Sequence, residues 1–264
     1  METSEKNFFL KIAYDGTAFS GWQRQPGIRT VCGELEAALE RVLLQPVKLE
    51  ATSRTDAGVH AYGQQATLRG SFGIPADRLA KAVNDSLAKS RLERVGDVQV
   101  LWVKEMPEGF HARFSSRGKR YLYKISNAPQ VDLFRRNYCY QITRPLDLGA
   151  MKAAASLLEG EHDFAAFMSQ GSTPQESTVR TVYAIDIKKD GDDIVIAVCG
   201  SGFLYNMVRI MTGTLVEAGL GKRSPETVAQ ALSEKDRSKA GHVAPPQGLY
   251  LDEVFYDRIP EIRG

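Results

Sequence analysis

Apolar and polar residues alternate in five short runs through the first half of the chain, predicting strands over 8–14, 47–51, 64–69, 98–103 and 120–126. A second group follows over 182–188, 194–199 and 249–256. Between these runs the period lengthens to that of a helix. Leu35, Leu39, Val42 and Leu43 form one apolar stripe over 34–45. Leu79, Val83 and Leu87 form another over 77–89, with Pro75 just ahead. Two further helices are predicted over 150–159 and 202–219, the second ending on Gly219 as a C-cap. The order is β-α-β-β-α-β-β, then α-β-β-α-α-β. This predicts an α+β fold of two similar halves with mostly antiparallel sheets. The halves are 1–128 and 148–264, joined through 129–147, where proline and charged residues interrupt the pattern.

A length of 264 residues allows one large domain or two smaller ones. The net charge of +2 excludes neither a nucleic acid nor a small-molecule substrate, so any phosphate partner must meet local basic patches. Cys32, Cys139 and Cys199 are widely spaced and odd in number, which suggests no disulfide framework and fits a reducing cytoplasm. The polar, acidic start has no apolar core of a signal peptide, and no run of about 18 apolar residues predicts a membrane helix.

Several motifs fail on inspection. Gly-Leu-Gly-Lys-Arg-Ser at 219–224 lacks the first glycine of a phosphate loop and has Arg223 where a magnesium-binding hydroxyl belongs. Gly-Ser-Gly at 200–202 is not a nucleophile elbow. His60, His111, His162 and His242 never pair with one another or with cysteine at zinc-binding spacing, so no metal is expected. His60 and His111 read as structural hydrogen-bonding residues, and Trp22 and Trp102 as core.

Ser-Arg-Thr-Asp-Ala-Gly-Val-His-Ala at 53–61 lies between two predicted strands. Such a loop can display a carboxylate, Asp56, at the end of a sheet, and the small Ala57 and Gly58 would let a substrate approach the backbone. On composition alone the plainer reading, an aspartate used as a turn former, has the stronger claim. Arg113, Arg117, Lys119, Arg120 and Lys124 form a basic stretch interleaved with Phe114, Tyr121 and Tyr123. A solvated face is the default for such a run, and a surface that follows phosphates and stacks bases is the alternative.

The 53–61 segment resembles the catalytic signature of the bacterial tRNA pseudouridine synthase I family, the A-type branch of pseudouridine synthases. The resemblance continues in order along the chain. Tyr-Asp-Gly-Thr-Ala-Phe-Ser-Gly-Trp-Gln-Arg-Gln at 14–25 resembles the opening motif. Phe-His-Ala-Arg-Phe-Ser at 110–115 and Arg-Tyr-Leu-Tyr at 120–123 resemble the middle block. His-Asp-Phe at 162–164, Ser-Thr-Val-Arg-Thr at 177–181, Phe-Leu-Tyr-Asn-Met-Val-Arg at 203–209 and Ala-Pro-Pro-Gln-Gly-Leu-Tyr-Leu at 244–251 complete the series. Ser53 departs from the pattern, standing where many members have glycine.

The resemblance implies the pseudouridine synthase fold, with a central basic cleft between the halves and Asp56 at its floor. Asp56 matches the catalytic aspartate, Tyr121 the tyrosine that packs on the target uracil, and Arg209 the arginine that pairs with the carboxylate. Arg54 matches the arginine that replaces the flipped nucleotide. Phe110, His111, Ala112, Arg113 and Phe114 match a tRNA-contacting segment. For Tyr121 and Arg209 the residues alone suggest ordinary packing and a charge snorkelling to water. The implied reaction breaks the N1–C1′ bond of uridine, turns the base and joins C5 to C1′. It needs no redox cofactor. Asp56 could attack C1′, attack C6, or begin by removing a proton. The implied substrate is the tRNA anticodon stem-loop at positions 38–40, and the implied assembly a homodimer in the cytoplasm, with no membrane and no DNA partner. The same chemistry on other RNA sites, and a non-catalytic tRNA-binding chaperone, are the competing readings.

Overall fold

The computed structural model describes residues 5–88, 96–169 and 176–258. Two compact units divide the chain. The first takes Met1–Ser116 with Leu251–Tyr256, the second Arg117–Tyr250 with Asp257–Gly264.

The first unit contains β1 (Lys6–Tyr14), α1 (Val31–Leu43), β2 (Leu49–Ala51), β3 (His60–Gly70), α2 (Ala76–Leu87) and β4 (Val98–Met106). β1 is its central strand, antiparallel to β3 on one side and β4 on the other, while β2 pairs with β3. Phe8, Leu10 and Ile12, three alternate residues of β1, are fully buried. Each contributes roughly 1.5–3 kcal/mol of apolar burial. On the opposite face Phe9 meets the edges of Trp102, Phe110 and Tyr256 at centroid distances of 5.4, 4.7 and 5.2 Å. β1 is therefore buried on both faces, which explains its nearly continuous apolar sequence. Leu79, Val83 and Leu87 of α2 are buried, as are Leu35 and Leu39 of α1. Val42 and Leu43 are only half-buried, because the helix ends there and Leu44 takes a left-handed conformation with φ 55°. The α1 start missed by the apolar stripe is set by Thr30, whose Oγ1 accepts from the Gly33 N–H. Lys89, the last position of the second predicted helix, lies outside the described residues.

The second unit contains β5 (Gly118–Ser126), β6 (Tyr140–Gln141), α3 (Leu148–Ser156), β7 (Gly160–Asp163), β8 (Val179–Asp190), β9 (Asp193–Gly200), α4 (Met207–Gly219) and α5 (Pro225–Glu234). β5, β9, β8 and β7 form an antiparallel series, with β6 parallel to β5. The last strand, β10 (Leu249–Phe255), begins in this unit and ends in the first. The strand carrying Tyr121 pairs with β9 and so belongs to the second unit, whereas its place in the sequence put it in the first half. The predicted connecting segment 129–147 holds β6 and also lies within the second unit.

Two sequence expectations for α4 change. The helix begins at Met207, not at 202, because Asn206 has φ 60° and breaks the helical path. Gly219 is also not the left-handed cap. Leu220 is the C-cap and Gly221, with φ 69°, is the left-handed residue. The Lys222 N–H reaches the Glu217 carbonyl at 2.9 Å and the Gly221 N–H reaches Ala218 at 2.9 Å, a Schellman stop. Ser224 then caps α5, so the glycine-rich run rejected as a phosphate loop is a helix-to-helix turn.

Gly219 serves packing instead. A Cβ there would lie 2.8 Å from Cγ of Met151 on the neighbouring α3. Gly219→Ala should therefore overpack the α3–α4 contact and destabilise the protein by about 1–3 kcal/mol. Urea unfolding should show a lower midpoint at unchanged slope. An unchanged midpoint would contradict this packing role.

Candidate active site

Asp56 is presented by a loop whose direction is fixed on both sides. From Ser53 onward the chain alternates: Ser53 and Thr55 are buried, Arg54 is exposed and Asp56 half-buried. The Ser53 carbonyl accepts from Nε2 of Gln64 at 2.8 Å. The Thr55 carbonyl accepts from the Trp22 N–H at 3.0 Å, and its hydroxyl shares a 2.7 Å hydrogen bond with the Tyr14 hydroxyl. After Asp56 the chain turns. The Val59 N–H donates to the Asp56 carbonyl at 3.2 Å, and Gly58 supplies the positive φ of 76° that this turn requires. Gly58 N–H donates to the Phe19 carbonyl at 3.2 Å, and Nδ1 of His60 accepts from Gly16 N–H at 3.1 Å.

The opening motif is thus the frame of the Asp56 loop. Tyr14, Gly16, Phe19, Gly21 and Trp22 all touch it. The β1–β3 register shifts between Ile12 and Tyr14, with the extra residue on β3 between Ala61 and Gln64, a local bulge in the strand that follows the Asp56 loop. Gly21 combines φ 88° with a Cα pressed against the loop: a Cβ there would lie 2.6 Å from the Thr55 carbonyl oxygen. Each hydrogen bond contributes about 0.5–1.5 kcal/mol net. Together they offset much of the roughly 1–2 kcal/mol per residue lost on ordering the loop backbone.

The 110–114 block separates into anchors and outward groups. Phe110 packs on Phe9 and Tyr256, and its carbonyl accepts from Asn7 Nδ2 at 2.8 Å. Ala112 is buried, and its carbonyl accepts from the Tyr256 hydroxyl at 2.8 Å and the Thr52 hydroxyl at 3.2 Å. His111 is held at both ring nitrogens: Nε2 lies 3.1 Å from the Glu50 carboxylate, and Nδ1 accepts from Arg113 N–H at 3.0 Å. Arg113 is exposed beside Phe114, itself 77% exposed, with the guanidinium 5.7 Å from the ring centroid. A cation and an exposed ring are what single-stranded or flipped bases stack on.

In the second unit, β5 buries Tyr121, Tyr123 and Ile125 on one face, while Arg120, Leu122 and Lys124 between them are half-exposed. Tyr121 meets the Phe203 ring edge-on at 5.4 Å and 87°. Tyr123 is fully buried, and its hydroxyl donates to the Pro245 carbonyl at 2.7 Å. Burial pushes that hydroxyl's ionisation far above its ordinary range. Gly248 makes room for the ring, since a Cβ there would lie 2.7 Å from it. Lys124 is drawn over the Tyr250 ring at 4.3 Å, so the basic stretch is not uniformly solvated.

Arg209 sits in the first turn of α4, where the helix dipole disfavours a cation. Its own bonds hold it there. Nε donates to the Ala244 carbonyl and Nη1 to Oδ1 of Asn206, both at 2.7 Å, and Ala244 N–H returns a bond to the Arg209 carbonyl at 3.1 Å. The segment from Ala244 to Gly248 therefore fixes both Arg209 and Tyr123.

A family model described as tRNA pseudouridine synthase matches residues 11–115 and 154–257. The protein named tRNA pseudouridine synthase A from Geobacillus sp. (strain WCH70) is 46% identical over 96% of this chain and 99% of its own. The chain belongs to the tRNA pseudouridine synthase family. A second relative, tRNA pseudouridine synthase A 2 of Clostridium tetani (strain Massachusetts / E88), is 44% identical over 96% of this chain and 99% of its own. A chain in the crystal structure of a Cbf5–Nop10–Gar1 complex aligns with 94% of this chain and 60% of its own, at 11% identity and a TM-score of 0.35, a likeness too slight to bear on fold or function. The matched stretches include Asp56, the 110–114 block and Arg209; Tyr121 falls between them.

The frame around Thr55 gives a direct expectation. Gly21→Ala collides with the Thr55 carbonyl and strains its own backbone, so it should displace the Asp56 loop. Because misplacement of about 1 Å can cost on the order of 100-fold in rate, single-turnover isomerisation of tRNA should fall at least ~10-fold, with tRNA affinity nearly unchanged. Wild-type turnover by this variant would show that the loop does not depend on its frame.

Proposed function

We propose that this protein isomerises uridine to pseudouridine at positions 38–40 of the tRNA anticodon stem-loop, with Asp56 as its catalytic carboxylate. The observation that carries the proposal is the presentation of Asp56, half-buried on a loop whose neighbours are tied down on either side. Family membership supplies the reaction, and relatives named tRNA pseudouridine synthase A supply the substrate class. The chemistry asks for little else. The N1–C1′ bond breaks, a C5–C1′ bond forms, C5 gives up its proton and N1 gains one. Nothing is oxidised or reduced. An ionised carboxylate serves as nucleophile or base.

The other roles follow the family resemblance. Arg54, exposed two residues before Asp56, takes the place of the extruded nucleotide. Unstacking a base costs a few kcal/mol, and contacts of roughly 1–3 kcal/mol per stacked base offset it. Tyr121 packs on the target uracil. Arg209 takes part in the reaction through its guanidinium, whose planar fork suits a carboxylate or phosphate where a lysine does not. Arg113 and Phe114 contact tRNA directly, held out by Phe110, His111 and Ala112 beneath them. A homodimer in the cytoplasm completes the reading, and the particle mass in solution tests the assembly. Among the described residues no helix is long and apolar enough to cross a membrane.

The deciding experiment is incubation with an unmodified tRNA transcript followed by site-resolved detection. Pseudouridine should form at positions 38–40 with the wild type. Asp56→Asn should form none while keeping tRNA affinity within a few-fold. Turnover by Asp56→Asn would remove this carboxylate from the mechanism, modification elsewhere would favour another RNA site, and binding without any modification would favour the chaperone reading.

A further inference from the structure

We infer that Asn206 is a positioning residue for the Arg209 guanidinium. Among the described residues three non-glycine positions have positive φ: Leu44, Asn206 and Lys235. Leu44 and Lys235 are the C-caps of α1 and α5, where a left-handed residue is the usual way to end a helix. Asn206 instead stands at the start of α4, with φ 60° and ψ 7°. An N-cap ordinarily has extended backbone and lends its side chain to the first free N–H groups of the helix. Asparagine is among the best residues for that task, yet this one makes no such capping bond. The backbone itself follows a turn closed by the Met207 N–H on the Leu204 carbonyl at 3.0 Å, in which asparagine readily takes the left-handed third position; it is the side chain that sets its capping preference aside, the pattern expected where a group serves a site rather than the helix.

The amide is used elsewhere. Oδ1 accepts from Nη1 of Arg209 at 2.7 Å, and Nδ2 donates to Oγ of Ser169 at 2.9 Å. Chemistry fixes this orientation, because a guanidinium can only donate and so must face the amide oxygen. The Ser169 N–H also donates to the Tyr205 carbonyl at 3.2 Å, so the loop before α4 is stapled to Ser169 through backbone and side chain. With Nε on the Ala244 carbonyl and Nη1 on Asn206, the fork is held at two points on adjacent nitrogens. Two such bonds set the plane of the group as well as its position.

This inference rests on the reading of Arg209 as a participant in the reaction, so the test treats the two separately. Single-turnover isomerisation, tRNA affinity and Tm are measured on the full-length enzyme. Asn206→Gly keeps the backbone conformation without strain and removes only the amide. Its rate should fall roughly 10–100-fold, as for a catalytic group displaced by about 1 Å, while tRNA affinity and Tm hold or Tm rises. Asn206→Asp, which keeps an acceptor for Nη1, should recover part of the rate. Ser169→Ala should lower the rate less, and combined with Asn206→Gly should add no further loss. Wild-type rate in Asn206→Gly beside an impaired Arg209→Lys would overturn the inference alone. So would a fall in Tm that accounts for the lost rate together with full activity in Ser169→Ala. Wild-type rate in Arg209→Lys would overturn the reading of Arg209 itself, and the inference with it.

Discussion

The hold on Thr55 is the constraint on which the presentation of Asp56 depends. Its hydroxyl meets Tyr14, its carbonyl meets the Trp22 N–H, and the Cα of Gly21 presses against it. With Thr55 drawn inward, alternation sends Asp56 the other way. The turn closed by Val59 on Asp56 then stops the chain from swinging back. The backbone that carries this short side chain is held because the residues beside it are tied down. Such order is complete before substrate arrives, so it does not have to be created during the reaction.

The second unit repeats the strategy with different parts. Arg209 is disfavoured by the dipole of its own helix and is kept by Asn206 and Ala244. Tyr123, on the same face of β5 as Tyr121, is locked by Pro245 and fitted against Gly248. The segment from Ala244 to Gly248 contributes no titratable side chain, only backbone groups and space. In both units one stretch of chain frames the stretch that carries the candidate groups.

Much of the scaffold was legible in the chain. Alternation located β1, β3, β4, β5, β8, β9 and β10, and the stripe of Leu79, Val83 and Leu87 located the buried face of α2. The motifs were legible as separate words. What the sequence did not disclose was which of them touch. Tyr14 and Thr55 lie 41 residues apart, Arg209 and Ala244 lie 35 apart, and nothing local in either motif names its partner. The end of α4 at Gly219 was read correctly, but its start and its cap were misjudged for a related reason. Gly219 looks like a cap, but the contact with Met151 that calls for glycine there is tertiary, and the left-handed turn falls two residues later on Gly221. The boundary between units was displaced because β5 is paired to a strand far along the chain. Asn206 carried a faint signal, an asparagine directly before an apolar helix, but its usual meaning is a cap, and only the bonds its amide makes in the folded chain show otherwise.

The account makes the Tyr14–Thr55 contact part of the machinery that presents Asp56. A double-mutant cycle with Tyr14→Phe and Thr55→Val, read as the single-turnover rate of pseudouridine formation in a tRNA transcript, tests this most directly. Both substitutions keep shape and remove one hydroxyl of a buried 2.7 Å hydrogen bond. The account predicts that each lowers the rate, that the double variant is little worse than either alone, and that tRNA affinity is unchanged throughout. Wild-type rates in both single variants, or losses that simply add, would contradict it.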